Sequence, residues 1–246
     1  MNDVELAVHI ADTAGRLLLD LRETGRFEGK ALGGEGDRIA NALILETLRR
    51  ERPRDAILSE EEVNDTARCS VERVWIVDPL DGTREYSEGR TDWAVHVALA
   101  IGGTAAIGAV ALPGLGLTLD SANPLPLPAT PDRLRMLVSR TRPAAEAVAV
   151  AEALGAELVP MGSAGAKAMA VVRGEADIYL HSGGQYEWDN CAPVAVAQAA
   201  GLHCSRIDGS PLTYNHANPW LPDLLICPHD LAGNILRLVG DLSQAR

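Results

Sequence analysis

The chain has 246 residues, 47% of them apolar and 23% charged, ordinary globular values that argue against disorder. Acids outnumber bases 34 to 22, for a net charge of −12. That excludes a general binder of nucleic-acid polymers or anionic membranes, because phosphate backbones are held by clustered Lys and Arg.

In chain order, apolar residues at Val4, Ala7, Ile10 or Ala11, Ala14, Leu17, Leu18 and Leu21 predict an amphipathic first helix. Five glycines within residues 25–36 then predict a mobile loop. A second helix is expected over 37–51, with Asp37 at its N-cap or in its first turn, where an acid favours the helix dipole. Short apolar runs at 56–59 and 73–78 read as buried strands. Three further runs between residues 91 and 121, separated by Gly-Gly and Pro-Gly turns, read as an antiparallel meander. The Pro-rich stretch 121–131 marks a boundary. Beyond it the pattern alternates: strand 134–139, helix 143–154, strand 156–160, helix 164–173, strand 176–181, helix 189–200, then a strand near 224–228 and a helix from 229. The expectation is two packed subdomains, 1–125 (α+β) and 126–246 (α/β).

No run is long enough to span a bilayer, and the start lacks the basic and apolar pattern of a signal peptide. Cys69, Cys191, Cys204 and Cys227 lie far apart with no CxxC, so neither a zinc site nor a disulfide framework is indicated. The chain reads as a reduced, cytoplasmic protein.

Three acidic clusters carry the chemistry. In VWIVDPLDGTREY (74–86), four apolar residues deliver Asp78 to a strand end. Pro79 and Gly82 force a turn there, and Thr83 opens a helix. Asp78 and Asp81 thus meet beside backbone N–H groups: carboxylates suit hard divalent cations, and N–H groups at a helix start suit phosphate oxygens. Asp-Pro and Asp-Gly are also plain turn formers. The acids stand three apart, not two as in the Asp-x-Asp of haloacid-dehalogenase-type phosphatases, which counts against an aspartyl-phosphate mechanism. In LSEEEV (58–63), Ser59 and Glu62 read as a capping box. Glu60 also follows an apolar run, where it can meet Asp78 across neighbouring strand ends. In EWDNCAPVAVAQAAG (187–201), Asp189 reads as an N-cap, with Gly201 as the stop.

Taken in order, L-S-E-E, D-P-L-D-G-T and W-D-N-C-A-P resemble the inositol-monophosphatase superfamily of magnesium-dependent, lithium-sensitive phosphatases, over roughly Asp37 to Gly209. Within it, Arg84-Glu85-Tyr86 and WDNCAPVAVAQAAG are similar to the 3′-phosphoadenosine 5′-phosphate phosphatases of the bacterial CysQ type. The resemblance implies a layered αβαβα sandwich of the inositol monophosphatase and fructose-1,6-bisphosphatase type. It implies two to three Mg2+ ions, with Li+ as inhibitor. Glu60, Asp78 and the Leu80 carbonyl would hold the first ion, and Asp78, Asp81 and Asp189 the second. Glu60 and water would support a weaker third, with Asp37 nearby. Gly82 and Thr83 would offer N–H groups to the phosphate, and Thr83 with Asp37 would orient the attacking water. Substrate contacts are implied for Asp81, Asp189, Ser163 and Lys167. Where the family commonly has a Thr shortly before the acid matched to Asp37, this chain has Gly33-Gly34-Glu35-Gly36, so Glu35 stands as the alternative.

The activity implied is removal of the 3′-phosphate from 3′-phosphoadenosine 5′-phosphate, or its phosphosulfate, by metal-activated water, in sulfate assimilation. Its rivals are a broad phosphatase for inositol 1-phosphate or fructose 1,6-bisphosphate, and a non-catalytic metal-binding regulator. The partner expected is a small phosphorylated nucleotide or sugar; a homodimer is a family expectation only. Ser163 and Lys167 also read as a small-residue helix start and a surface lysine. Tyr179, Gln185 and Tyr186 are candidates for a base-recognition wall, since a nucleobase stacks on a flat ring. His96, inside an alternating strand, reads as packed or exposed rather than as a ligand.

Overall fold

The computed structural model describes residues 1–244. It opens with helices α1 (Asp3–Glu23) and α2 (Gly29–Glu51). Strands β1 (Ala56–Ser59) and β2 (Arg73–Asp81), the short helix α3 (Thr83–Ser87), and strands β3 (Ala94–Ile101), β4 (Thr104–Leu112) and β5 (Leu117–Asp120) follow. The second half runs β6 (Arg135–Ser139), α4 (Ala145–Leu154), β7 (Glu157–Met161), α5 (Ala164–Val172), β8 (Ile178–Tyr186), α6 (Glu187–Ala199), β9 (His203–Ser205), β10 (Trp220–Cys227) and α7 (His229–Gln244).

The strands form two five-stranded sheets, ordered β1-β2-β3-β4-β5 and β7-β6-β8-β10-β9. In the first, β1 and β2 are parallel and the remainder is the expected antiparallel meander. Helices α1 and α2 cover one face of this sheet, α5 and α6 lie between the two sheets, and α4 and α7 cover the far face of the second. The result is the five-layered αβαβα arrangement. Period-2 alternation divides the first sheet between two cores: Trp75, Val77, Val95 and Val97 face α1 and α2, whereas Val74, Ile76, Ala94 and Ala98 face the middle helices. Among the described residues no helix is long and apolar enough to cross a membrane.

The glycine-rich stretch departs from expectation. Residues 29–36 are not a loop but the first turns of α2, and Asp37 lies within the helix rather than at its start. The reason is close approach, not flexibility. A Cβ on Gly33 would sit 2.6 Å from Thr83 Cγ2, and one on Gly36 would sit 3.1 Å from the Leu18 and Leu80 side chains. Three residues apart, these glycines share the face that receives α3. Gly34 faces open space. Helix α1 forms as expected, with Ala7, Ile10, Ala14 and Leu18 in the core; a capping box not foreseen in the sequence opens it, the Asn2 side chain accepting from Glu5 N and the Glu5 side chain from Asn2 N.

These placements predict opposite outcomes for neighbouring substitutions. Gly34→Ala should raise stability by about 0.5–1 kcal/mol, the usual gain for Ala over Gly inside a helix. Gly33→Ala should lower it by driving a methyl into Thr83. Denaturant unfolding of both variants checks this, and equal, near-zero effects would indicate a loop.

Candidate active site

The parallel register of β1 and β2 builds the first half of the site. Ser59 pairs with Val77, so the next residues, Glu60 and Asp78, emerge side by side, with Glu60 N donating to the Val77 carbonyl at 3.4 Å. Asp78 follows Val74 and Ile76 on the side of the sheet that faces the middle helices. Strand pairing then breaks between Asp78 and Asp81, where Pro79 has no N–H to give. The bend is closed by a bond from Leu80 N to Asp78 Oδ1 (3.0 Å) and one from the Thr83 hydroxyl to the Leu80 carbonyl (3.1 Å). Gly82 takes φ +86° between strand and helix, a left-handed conformation, and a Cβ there would meet Ser163 Cβ at 3.0 Å.

The second half comes from the middle layer. Helix α6 begins at Glu187, so Asp189 is its third residue and not the N-cap; its carboxylate reaches back to accept from Tyr186 N at 2.6 Å. Asp78, Asp81 and Asp189 each present an oxygen within 4.8 Å of the others. Asp81 is seated on the start of α5, accepting from Ala164 N (3.1 Å), Gly165 N (2.6 Å) and the Ser163 hydroxyl. Ser163, at φ +53°, also accepts from Ala166 N as the cap of α5. Lys167 is not on the surface: it is buried, its ammonium donating to the carbonyls of Gly162 and Ser163.

Segment 60–62 is not helical, so the capping box expected from Ser59 and Glu62 does not form. Both side chains are held instead by Asn41 of α2, which accepts from the Ser59 hydroxyl (2.8 Å) and donates to Glu62 (3.0 Å). A buried pair unforeseen in the sequence secures the other side. Glu187 accepts from the backbone N–H groups of Asn215 and His216, and Arg68 donates to Asn64, Asn215 and the His216 carbonyl. Arg68 thereby ties the chain just after Glu60 to the loop before β10.

The carboxylates are electrostatically unequal. Burial, then the charges of Glu60, Asp81 and Asp189, push Asp78 well above the carboxylate range. Enclosure and Asp189 raise Glu60 to about 7, and burial and Asp81 raise Asp189 to about 6. Asp81 goes the other way, to about 2: burial opposes its ionisation, but His96, the Ser163 hydroxyl and Lys167 outweigh it. His96 is fully buried, with Nδ1 2.9 Å from the Trp188 carbonyl and Nε2 3.3 Å from Asp81 Oδ2. A lone histidine in a strand of apolar residues was the only signal for that role.

Asp37 stands apart, beside Thr83. Burial and Glu61 raise it to about 7, the Thr83 hydroxyl pulls it back, and its Oδ1 is buried without a hydrogen-bond partner. Glu35, the alternative, is paired with Arg38 on α2 itself. A cleft of about 520 Å³ between α2 and α3 reaches both Asp37 and Thr83. An all-oxygen donor set, mutual repulsion left unrelieved by the chain and an orphaned carboxylate oxygen together fit hard divalent cations.

This repulsion sets the pH response of the metal-free protein. A carboxyl with a raised folded pKa binds more protons folded than unfolded, so stability falls as pH rises from the ordinary carboxylate range through the folded value. Asp78→Asn removes one such charge. In EDTA it should melt above the parent at pH 8, the gap closing towards pH 4, at about 2–4 °C per kcal/mol relieved. A variant less stable at both pH values would contradict the electrostatic account.

The sequence matches the Inositol monophosphatase family over residues 5–243. It is 49% identical to a 3′-phosphoadenosine 5′-phosphate phosphatase of Mycobacterium leprae, over 99% of this chain and 96% of that protein. It is 51% identical to one from Mycobacterium tuberculosis, over 93% of this chain and 90% of that protein. The crystal structure of CysQ from Bacteroides thetaiotaomicron, 24% identical, has the same fold, with a TM-score of 0.78 over 92% of this chain and 97% of that one. The chain belongs to the inositol monophosphatase family.

Proposed function

We propose that this protein is a magnesium-dependent phosphomonoesterase that removes the 3′-phosphate of 3′-phosphoadenosine 5′-phosphate or its phosphosulfate. The observation that carries the reading is the convergence of Glu60, Asp78, Asp81 and Asp189 beside the first N–H groups of α3, with Asp37 and Thr83 on the adjoining side. The named activity of relatives at about half identity supports the substrate.

Glu60, Asp78 and the Leu80 carbonyl would hold one ion, Asp78, Asp81 and Asp189 a second, and Glu60 a weaker third. Bound there, the ions would activate water on the Asp37 side and neutralise charge on the phosphate and the departing oxygen. The N–H groups of Gly82 and Thr83 precede the hydrogen-bond ladder of α3, so they are free in direction to receive phosphate oxygens. Thr83 orients the incoming water, and Asp37, raised to about 7, accepts its proton. The new oxygen–phosphorus bond forms opposite the bond to the ribose 3′ oxygen, which breaks with its electron pair on that oxygen; the oxygen then takes a proton from solvent water and leaves as the 3′-hydroxyl. Ser163 holds Asp81 from behind, the charge of the buried Lys167 favours its ionised form, and both would border the substrate.

The test is phosphate release from 3′-phosphoadenosine 5′-phosphate, inositol 1-phosphate and fructose 1,6-bisphosphate, with Mg2+, with EDTA and with added Li+. Metal-dependent, lithium-inhibited preference for the nucleotide by tenfold or more is expected, about 1.4 kcal/mol of transition-state discrimination. A sugar-preferring profile overturns the substrate, and no release from any of them overturns the activity. Asp37→Asn should lower kcat by about 10²–10⁴ with KM little changed, the range for a lost general base. The same loss in Glu35→Gln but not in Asp37→Asn would move the base to Glu35.

A further inference from the structure

The chain has four Trp, four Tyr and one Phe. Trp75, Trp93, Tyr86, Tyr179 and Tyr214 are buried in the cores, and Phe27 is an exposed single ring just before α2. The other three are gathered in one place. Tyr186 and Trp188 stack with ring centroids 4.7 Å apart and planes 8° from parallel. Trp220 is the strand partner of Tyr186 across β8 and β10. Tyr186 is 44% exposed and Trp220 46% exposed, unusual for rings of this size.

Two features show that this surface is built and adjoins the candidate site. A Cβ on Gly184, at φ +102°, would sit 2.6 Å from Trp220 Nε1, so the glycine leaves room for the indole to lie against the strand. The backbone N–H of Tyr186 donates to Asp189, so the stacked pair is fixed to one of the converging carboxylates. Tyr179 and Gln185, expected to share such a wall, are instead buried and bonded to each other.

We infer that Tyr186, Trp188 and Trp220 form a shelf on which the aromatic base of a nucleoside bisphosphate stacks while its 3′-phosphate lies among the carboxylates. This rests on the nucleotide reading above and deepens it by naming the residues that recognise the base. The occupant follows from chemistry: a base is the flat, uncharged part of the substrate that a sugar phosphate lacks, and exposed aromatic rings suit a flat, uncharged group. Stacking is tolerant of base identity, because every base offers a π-face. The shelf therefore separates nucleotides from inositol and fructose phosphates, but adenine only weakly from guanine.

The experiment compares the parent with Trp220→Ala and Tyr186→Leu. The first readout is kcat/KM for 3′-phosphoadenosine 5′-phosphate divided by that for inositol 1-phosphate. The second is quenching of tryptophan fluorescence by adenosine 5′-phosphate and by ribose 5-phosphate, and the third is oligomeric state by light scattering. The expected result is a fall of about tenfold in the ratio, through KM for the nucleotide, with quenching by adenosine 5′-phosphate alone in the parent and its loss in Trp220→Ala. An unchanged ratio with equal quenching by both ligands overturns the shelf, as does a variant that only dissociates a dimer. Failure of the parent to hydrolyse any nucleotide would overturn the functional reading itself, a different result from these.

Discussion

Repulsion among Glu60, Asp78, Asp81 and Asp189 is the constraint on which the rest of this structure depends. Like charges this close and this enclosed cannot all ionise without compensation. The chain neutralises only Asp81, with the start of α5, His96 and Lys167 around it. The other three are left with raised affinities for protons. A cation that bound these acids in the folded state alone would relieve the repulsion and stabilise the fold.

The layers follow from that need for close, rigid approach. The parallel pair β1 and β2 delivers Glu60 and Asp78 side by side, and the break at Pro79 turns Asp81 towards the middle helices. Small residues let the elements close in. Gly33 and Gly36 admit α3 against α2, Gly108 lets α6 onto β4, and Gly165 leaves space for His96. Any Cβ at Gly165 would fall 1.9 Å from His96 Nε2, so the ring that supports Asp81 and the helix that receives it interlock.

Much of this was legible in the sequence, and the failures have physical causes. Short apolar runs and the glycine and proline turns between them located β1 to β5, and the spacing of Asp78, Pro79, Asp81 and Gly82 carried the bend. The glycines of α2 misled because packing against α3 overrides their low helix propensity. Ser59 and Glu62 have the spacing of a capping box, but Asn41, distant in sequence, engages both. No local pattern reveals such a partner. Arg84-Glu85-Tyr86 carried the resemblance to nucleotide phosphatases, yet Glu85 and Tyr86 are largely buried: Glu85 pairs with Arg140, and the Tyr86 hydroxyl donates to the Leu18 carbonyl. The exposed aromatic cluster was only partly visible, since Trp220 reaches Tyr186 through strand pairing across more than thirty residues.

Calorimetric titration of the metal-free protein with Mg2+ near pH 7, in two buffers of different ionisation enthalpy, tests the central claim most directly. The account predicts more than one ion bound per chain, with protons released as Glu60 and Asp78 give theirs up. Binding without proton release, or no binding at all, would contradict it.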